Sequence, residues 1–108
     1  MATRSRIGIE NENGTISSIY CHWDGYPEGV GATLKECYKD RDVVKSLIEL
    51  GDISSLGDDI FSTVAYHRDR GEEFWEARED ESLEAFNKSN YQDYGYVFTL
   101  ENKWVVFM

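Results

Sequence analysis

One stretch of the sequence, residues 20–31, concentrates the side chains that can do chemistry. It contains two tyrosines, a tryptophan, a histidine, a cysteine and two carboxylates, and it includes three glycines within seven residues. We call five of these residues the aromatic turn: Tyr20, His22, Trp23, Asp24 and Tyr26. Aromatic rings can stack on a base or hold a cation, and glycine amides at the start of a helix can bind an anion. The aromatic turn is therefore either a binding site for a partner or small ligand, or a packed corner, which is the commoner role of a lone histidine.

A nucleotide is one candidate ligand of the aromatic turn. Its rings would stack on the base, while the glycine amides, Arg68 and Arg70 would hold the phosphates. However, residues 25–31 match neither the Walker motif nor the dinucleotide-binding motif, and Glu28 places a negative charge beside the anion position. Binding or sequestering a nucleotide therefore stays an alternative function.

Catalytic chemistry has less support in the sequence. The available bases and nucleophiles match no known catalytic constellation in their spacing; they are His22, His67, Cys21, Asp24 and Asp69. Oxygen ligands suit Mg²⁺ or Ca²⁺, so His67, Asp69 and Glu72 suggest a metal site, but the adjacent arginines oppose a cation. A metal-dependent enzyme is the second alternative, and neither a catalytic residue nor a cofactor is predicted.

The most acidic part of the sequence lies between residues 72 and 84. Residues 72–89 are predicted to form one helix because Phe74, Trp75, Ala85 and Phe86 fall on one inward face. Its outer face would be acidic, with Arg78 as the single basic residue among Glu72, Glu73, Glu76, Glu79, Asp80, Glu81 and Glu84. Most acidic helix faces are only solvated, but this density of charge is high enough for a surface that binds a basic partner.

The overall charge narrows the class of partner. The 108 residues include 21 acidic and 11 basic ones, which gives a net charge of −10. Direct binding to nucleic acid is disfavoured because phosphate contacts need clustered lysine and arginine, whereas a basic protein would be attracted. No window approaches the ~20 apolar residues of a membrane span, and no signal-peptide pattern is visible, so we expect a cytoplasmic protein. In a reducing cytosol, Cys21 and Cys37 are expected to be free, buried thiols.

A hairpin is predicted to position the aromatic turn. Residues 6–11 and 15–23 alternate as its two strands. A two-residue loop would set Ile7 opposite Tyr20, whereas a three-residue loop that ends in a left-handed Gly14 would set Ile7 opposite Ile19. We prefer the three-residue loop because it collects one apolar face, formed by Ile7, Ile9, Ile19, Cys21 and Trp23. Tyr20 and His22 then leave on the opposite face.

The remaining residues predict an α+β fold in one domain, residues 1–108. A helix is predicted over residues 32–39, and another runs from an Asp40 or Asp42 cap to residue 50 with a stop at Gly51. Its buried stripe would be Val43, Val44, Leu47 and Ile48. Further along the chain we predict a loop over residues 52–59, a strand over 60–67, a charged turn over 68–73, and a C-terminal hairpin over 95–100 and 103–108. The charged turn is either a salt-bridge cluster or a polar binding edge. We expect an antiparallel or mixed sheet of about five strands, with two or three helices packed on it.

Several motifs are spread over the length of the chain. They are residues 3–11 (TRSRIGIEN), Gly14, 19–27 (IYCHWDGYP), 30–31 (VG), 50–52 (LGD), 54–57 (SSLG), 68–72 (RDRGE) and 103–104 (KW). In these motifs the chain resembles a group of small accessory proteins encoded by phages and prophages. No reaction or ligand is established for such proteins. The resemblance implies a setting in the bacterial host cytoplasm, with a host defence system as a natural target.

The favoured function is binding and inhibition of a host protein that has a basic surface. A defence nuclease or a CRISPR complex would fit, with carboxylates of this chain standing in for phosphates. The acidic helix would carry the charge, and the aromatic turn would anchor the complex because tyrosine and tryptophan dominate interface energetics. The oligomeric state is left open.

Overall fold

The fold is built on the N-terminal hairpin of strands β1 (Ser5–Glu10) and β2 (Ile16–Cys21). In this computed structural model, which describes residues 2–108, Ile7 lies opposite Ile19. Gly14 has a φ of 87°, a left-handed conformation that other residues rarely adopt. The predicted three-residue loop is therefore confirmed, together with the register that it sets.

The other strands add to both sides of this hairpin. On one side β1 pairs in parallel with β6 (Tyr94–Phe98), which pairs antiparallel with β7 (Trp104–Phe107). On the other side β2 has two neighbours: β5 (Arg78–Asp80), antiparallel along its first half, and β3 (Ile53–Ser55), parallel at its end. Strand β4 (Val64–Ala65) pairs antiparallel with β3. Within residues 2–108 these seven strands form one mixed sheet, so the α+β prediction is confirmed.

One face of the sheet carries the main core. A π-helical turn (Pro27–Gly31), helix α1 (Ala32–Cys37) and helix α2 (Arg41–Glu49) bring apolar side chains to it. The buried cluster includes Ile7, Ile9, Ile19, Cys21, Val30, Leu34, Val44, Leu47, Ile48, Tyr96 and Phe98. Helix α2 agrees with its prediction, since the Asp42 N–H donates to the Asp40 carboxylate at 2.9 Å and the helix ends before Gly51.

The second face is covered by helix α4 (Leu83–Ser89), which buries Phe86 against Ile16 and Val97. Beside this cluster Arg6 is buried, on the face of β1 opposite Ile7 and Ile9. Its guanidinium donates to Asp80 at 2.7 Å and lies 4.5 Å from the centre of the Phe86 ring. A buried guanidinium needs a counter-charge, so Arg6 and Asp80 fix where β5 can lie.

The predicted helix over residues 72–89 is wrong over residues 72–82 and correct only over its last part, α4. Residues 71–77 form neither helix nor strand, and we call them the strap. Strand β5 follows, and α4 starts only after Ser82, whose hydroxyl accepts from the Ala85 N–H at 3.1 Å. Trp75, which a helix would have turned inward, is 62% exposed. Pairing of β5 with β2 and the Arg6–Asp80 ion pair outweigh the local helix propensity. The acidic residues therefore do not share one helix face.

The predicted strand over residues 60–67 is also wrong, apart from its short β4 portion. Residues 59–63 form a turn in which the Ser62 N–H donates to the Asp59 carboxylate at 2.8 Å, and helix α3 (Tyr66–Arg70) follows β4 directly. The preceding segment was predicted as a loop, but it contains β3 because the buried Ile53 lies beside Cys21 of β2.

The predictions for the N-terminal and C-terminal hairpins agree with the structure except at Trp23. That residue was assigned to the apolar face, yet β2 stops at Cys21 and Trp23 is 45% exposed. The backbone reverses just beyond it, at Asp24, which has a φ of 56°. The C-terminal hairpin of β6 and β7 confirms its prediction.

Candidate functional site

The glycine-rich half of the 20–31 stretch is a packed corner. The Gly25 N–H donates to the Thr3 carbonyl at 2.8 Å, and a Cβ on Gly25 would lie 2.9 Å from the same oxygen, so only glycine fits. The amides of Gly29 and Gly31 donate to the Tyr26 carbonyl at 3.0 and 3.5 Å. Because these amides are used inside the chain, they are not free to hold phosphates. The anion-binding part of the nucleotide hypothesis is therefore corrected.

The side chains of the aromatic turn fall into two groups. Tyr20 Oη lies 2.6 Å from His22 Nδ1, and the Trp23 ring meets the His22 ring edge-on at 4.7 Å between centres. Tyr26 forms the other group, since its hydroxyl donates to the Asp24 carboxylate at 3.4 Å. Only the first group leads onto the second face of the sheet, where Tyr20 borders a groove.

This groove has a volume of about 310 Å³ and combines aromatic rings with carboxylates. We call it the acidic groove and define it by Tyr20, Asp52, Tyr66, Glu72, Glu73 and Trp75. Strand β2 supplies Tyr20, and the Tyr20 N–H donates to the Asp52 carboxylate at 2.9 Å. Among the described residues that line it, none is basic. The groove therefore joins part of the predicted aromatic turn to part of the predicted acidic surface.

The outer wall of the groove is the strap, residues 71–77. Its backbone is fastened at both ends: the Glu72 N–H donates to the Tyr66 carbonyl at 3.0 Å, and the Asp52 N–H donates to the Trp75 carbonyl at 3.2 Å. His67 Nδ1 donates to the Glu72 carbonyl at 2.8 Å, which makes the histidine a brace for the strap. The strap thereby holds two glutamates and an indole ring opposite β2.

The electrostatics of the groove favour a positively charged ligand. Burial raises the pKa of Asp52, although the hydrogen bond from the Tyr20 N–H and the positive charges of Arg78 and Arg6 lower it. Burial also raises the pKa of Tyr20. Burial thus destabilises the ionised form of Asp52, and a nearby cation would reduce this destabilisation.

The remaining predicted acidic residues are all exposed, and we call them the acidic edge: Glu76, Glu79, Glu81 and Glu84. They run from the end of the strap through β5 to α4. Two cations accompany them: Arg78 on β5, and Lys88, whose Nζ is 3.2 Å from the Glu84 carboxylate. Asp80 differs from its neighbours because it is committed to Arg6. Its predicted role as a partner-binding residue is therefore corrected to a structural one.

The predicted arginines serve local ion pairs. Arg68 donates to the Asp69 carboxylate at 2.9 Å and to the Thr63 carbonyl at 2.6 Å, and it lowers the pKa of Asp69. Arg70 lies 3.9 Å from Glu72 and over the Tyr66 ring at 5.4 Å. Of the two predictions for the charged turn, the salt-bridge cluster is therefore the one that the structure shows. Nowhere in residues 2–108 do three or more potential ligands gather to hold a metal ion, so the suggested His67, Asp69 and Glu72 set does not assemble.

The two cysteines have opposite environments, and both are free thiols. Burial raises the pKa of Cys21 to about 12, so this thiol contributes to the packing of the core and does not serve as a nucleophile. Cys37 is exposed at the end of α1, where its predicted burial is wrong because Tyr38 takes the inward position.

Sequence reasoning missed Asp52 and Tyr66, and it gave Trp75 the wrong place. These residues come from the start of β3, the start of α3 and the strap, which meet only because β3 pairs with β2. The sequence shows Gly51 and Asp52 directly after a predicted helix, but no neighbouring residue indicates that Asp52 faces Tyr20.

Comparisons with known proteins add no assignment. A scan against protein-family models, a search of curated proteins and a search of solved structures each returned no match. Across residues 2–108, none of the helices has the length and apolar character needed to cross a membrane.

Proposed function

We propose that this protein binds a basic partner protein through the acidic groove and the acidic edge, and so blocks the partner's own binding surface. The observation that carries the proposal is the groove, where three aromatic rings and three carboxylates share one space of about 310 Å³. A basic surface that meets this region gains both ionic and aromatic contacts.

The acidic edge and the acidic groove contribute to binding in different ways. The acidic edge is exposed, so its charges steer and orient a basic partner but add little stability each. The groove holds the partly buried Asp52 and the exposed Trp75 indole, which are the kinds of group that anchor interfaces. In the phage setting that the sequence resemblance implies, the partner would be a nucleic-acid-binding host protein, such as a defence nuclease or a CRISPR complex.

Affinity capture from a bacterial lysate with matched charge reversals tests the proposal. The edge variant replaces Glu76, Glu79, Glu81 and Glu84 by lysine, and the control variant replaces the exposed Glu12, Glu36, Asp42 and Glu101 by lysine. Both variants change the net charge equally. We expect wild type and the control to retain the same basic protein at low salt and release it as salt rises, and the edge variant to lose it. Equal retention by both variants, or equal loss from both, would show that the acidic edge is not the binding surface.

A further inference from the structure

The acidic groove has the composition of a site for one organic cation. Cations bind over aromatic rings within about 6 Å of the centre, and they pair with carboxylates. The groove offers both kinds of group: the rings of Tyr20, Tyr66 and Trp75, and the carboxylates of Asp52, Glu72 and Glu73. We propose that it receives the guanidinium group of a single arginine side chain, which the basic partner presents. The inference rests on the proposed function and names the group that the groove recognises.

The charge of the groove favours a cation over a nucleotide. A nucleotide would bring its phosphates against three carboxylates. The space of about 310 Å³ is large enough for one side chain, and a flat cation on an alkyl stem does not meet this repulsion.

Two observations favour a guanidinium over an ammonium group. A guanidinium is planar and weakly hydrated, so it stacks on rings and enters partly buried sites more readily than an ammonium group does. The chain shows the same contact at the rim, where the Arg70 guanidinium lies 5.4 Å from the centre of the Tyr66 ring and 3.9 Å from Glu72. Tyr66 and Glu72 can thus hold a guanidinium, but Arg70 of the chain itself already contacts both. An incoming guanidinium would therefore bind first to the other groups of the groove: Tyr20, Trp75, Asp52 and Glu73.

Asp52 supplies the deepest charge in the groove. Of its side-chain hydrogen bonds within residues 2–108, the structure shows one, in which Oδ1 accepts from the Tyr20 N–H. The opposite oxygen, Oδ2, is available to a ligand. The two N–H groups of a guanidinium fork would reach Asp52 and a strap glutamate from between the rings.

Small probes test the inference on the purified protein without any partner. The probes are the methylamides of N-acetyl-arginine, N-acetyl-citrulline and N-acetyl-lysine, titrated against the ¹⁵N-labelled protein and followed by amide chemical shifts. We expect the arginine probe to shift the amides of residues 20, 52, 66 and 72–75 with roughly millimolar affinity. The lysine probe should bind several-fold more weakly, and the neutral citrulline probe should leave these amides in place. Equal binding of citrulline or lysine, or shifts elsewhere on the chain, would overturn the inference.

Matched aromatic variants sharpen the test. Trp75→Ala should weaken arginine binding roughly fivefold to tenfold, and Trp75→Phe should retain part of it. Tyr91→Ala removes an exposed aromatic ring outside the groove and should leave the affinity unchanged. Equal effects of Trp75→Ala and Tyr91→Ala would contradict the site. If the arginine probe fails to bind while the edge variant still loses its partner, the inference falls and the proposed function stands. If the arginine probe binds the groove while the edge variant keeps its partner, the proposed function falls and the assignment of the groove to a guanidinium stands.

Discussion

Replacing Asp80 by asparagine tests whether the acidic segment is folded as the structure shows. The new amide would keep an acceptor in place but would remove the charge that faces Arg6. The two side chains of the native pair are 4% and 17% exposed and lie 2.7 Å apart, and Arg6 also donates to Ser18 and Ser89. The substitution therefore leaves a guanidinium buried without its counter-charge.

The expected loss is about 3 kcal/mol of unfolding free energy. Breaking a buried ion pair costs ~3–5 kcal/mol, and the lower end applies because Asp80 keeps some contact with solvent and asparagine can still accept one hydrogen bond. For a chain of this size, about 3 kcal/mol lowers the melting temperature by roughly 12 °C or more.

Thermal unfolding followed by circular dichroism measures this shift, with Glu79→Gln as the matched control. Glu79 is the exposed neighbour on β5, and its substitution changes the net charge by the same amount. We expect the control to stay within about 0.5 kcal/mol of wild type. If the two variants melted together, Asp80 would be as exposed as Glu79, as on an acidic helix, and the placement of β5 would be refuted.

Three further outcomes follow from the structure. At pH 8 in the native protein, an alkylating reagent should modify Cys37 and spare Cys21 until the protein is unfolded, because Cys21 is buried and its pKa is raised to about 12. Mass spectrometry measures the two rates, and modification of Cys21 at the same rate as Cys37 would contradict its burial. Because burial raises the pKa of Asp52 in the folded state, ionising it costs stability above that pKa, and this cost is absent once the pH falls below the ordinary value of ~4. Asp52→Asn should therefore raise the melting temperature at pH 7 and not at pH 3, and a larger gain at pH 3 would refute the assignment. Gly25→Ala should destabilise the protein by ~1–3 kcal/mol in a denaturant titration, since its Cβ would meet the Thr3 carbonyl, and a neutral result would mean that this corner is loosely packed.

The sequence was most informative where short-range rules decide the structure. The Asn11–Gly14 turn fixed the register of the first hairpin because only a left-handed Gly14 brings Ile7 opposite Ile19. The Asp40 cap and Gly51 set the ends of α2 for the same kind of reason. In each case the deciding residues lie within a few positions of one another.

The sequence was least informative where distant segments compete for a place. Residues 72–81 have strong helix formers, yet Arg6 of β1 draws Asp80 into a strand, a contact across 74 positions of the chain. Alternation along β1 sets Arg6 on the face opposite Ile7 and Ile9 but does not show that α4 covers that face. The acidic groove depends in the same way on β3 lying beside β2. The periodicity of a single sequence carries no information about which distant segments pair.

The most direct test of the central claim is to locate where a basic peptide binds. The ¹⁵N-labelled protein would be titrated with a short arginine-rich peptide, and amide shifts would be mapped at low and moderate salt. With a net charge of −10, any acidic surface attracts such a peptide, so the position of the shifts is the informative result. We expect the shifts to concentrate at residues 20, 52, 66 and 72–84 and to fade as salt rises. Shifts of equal size around Glu36, Asp42 and Asp58 would show that the groove and the acidic edge are not a specific binding surface.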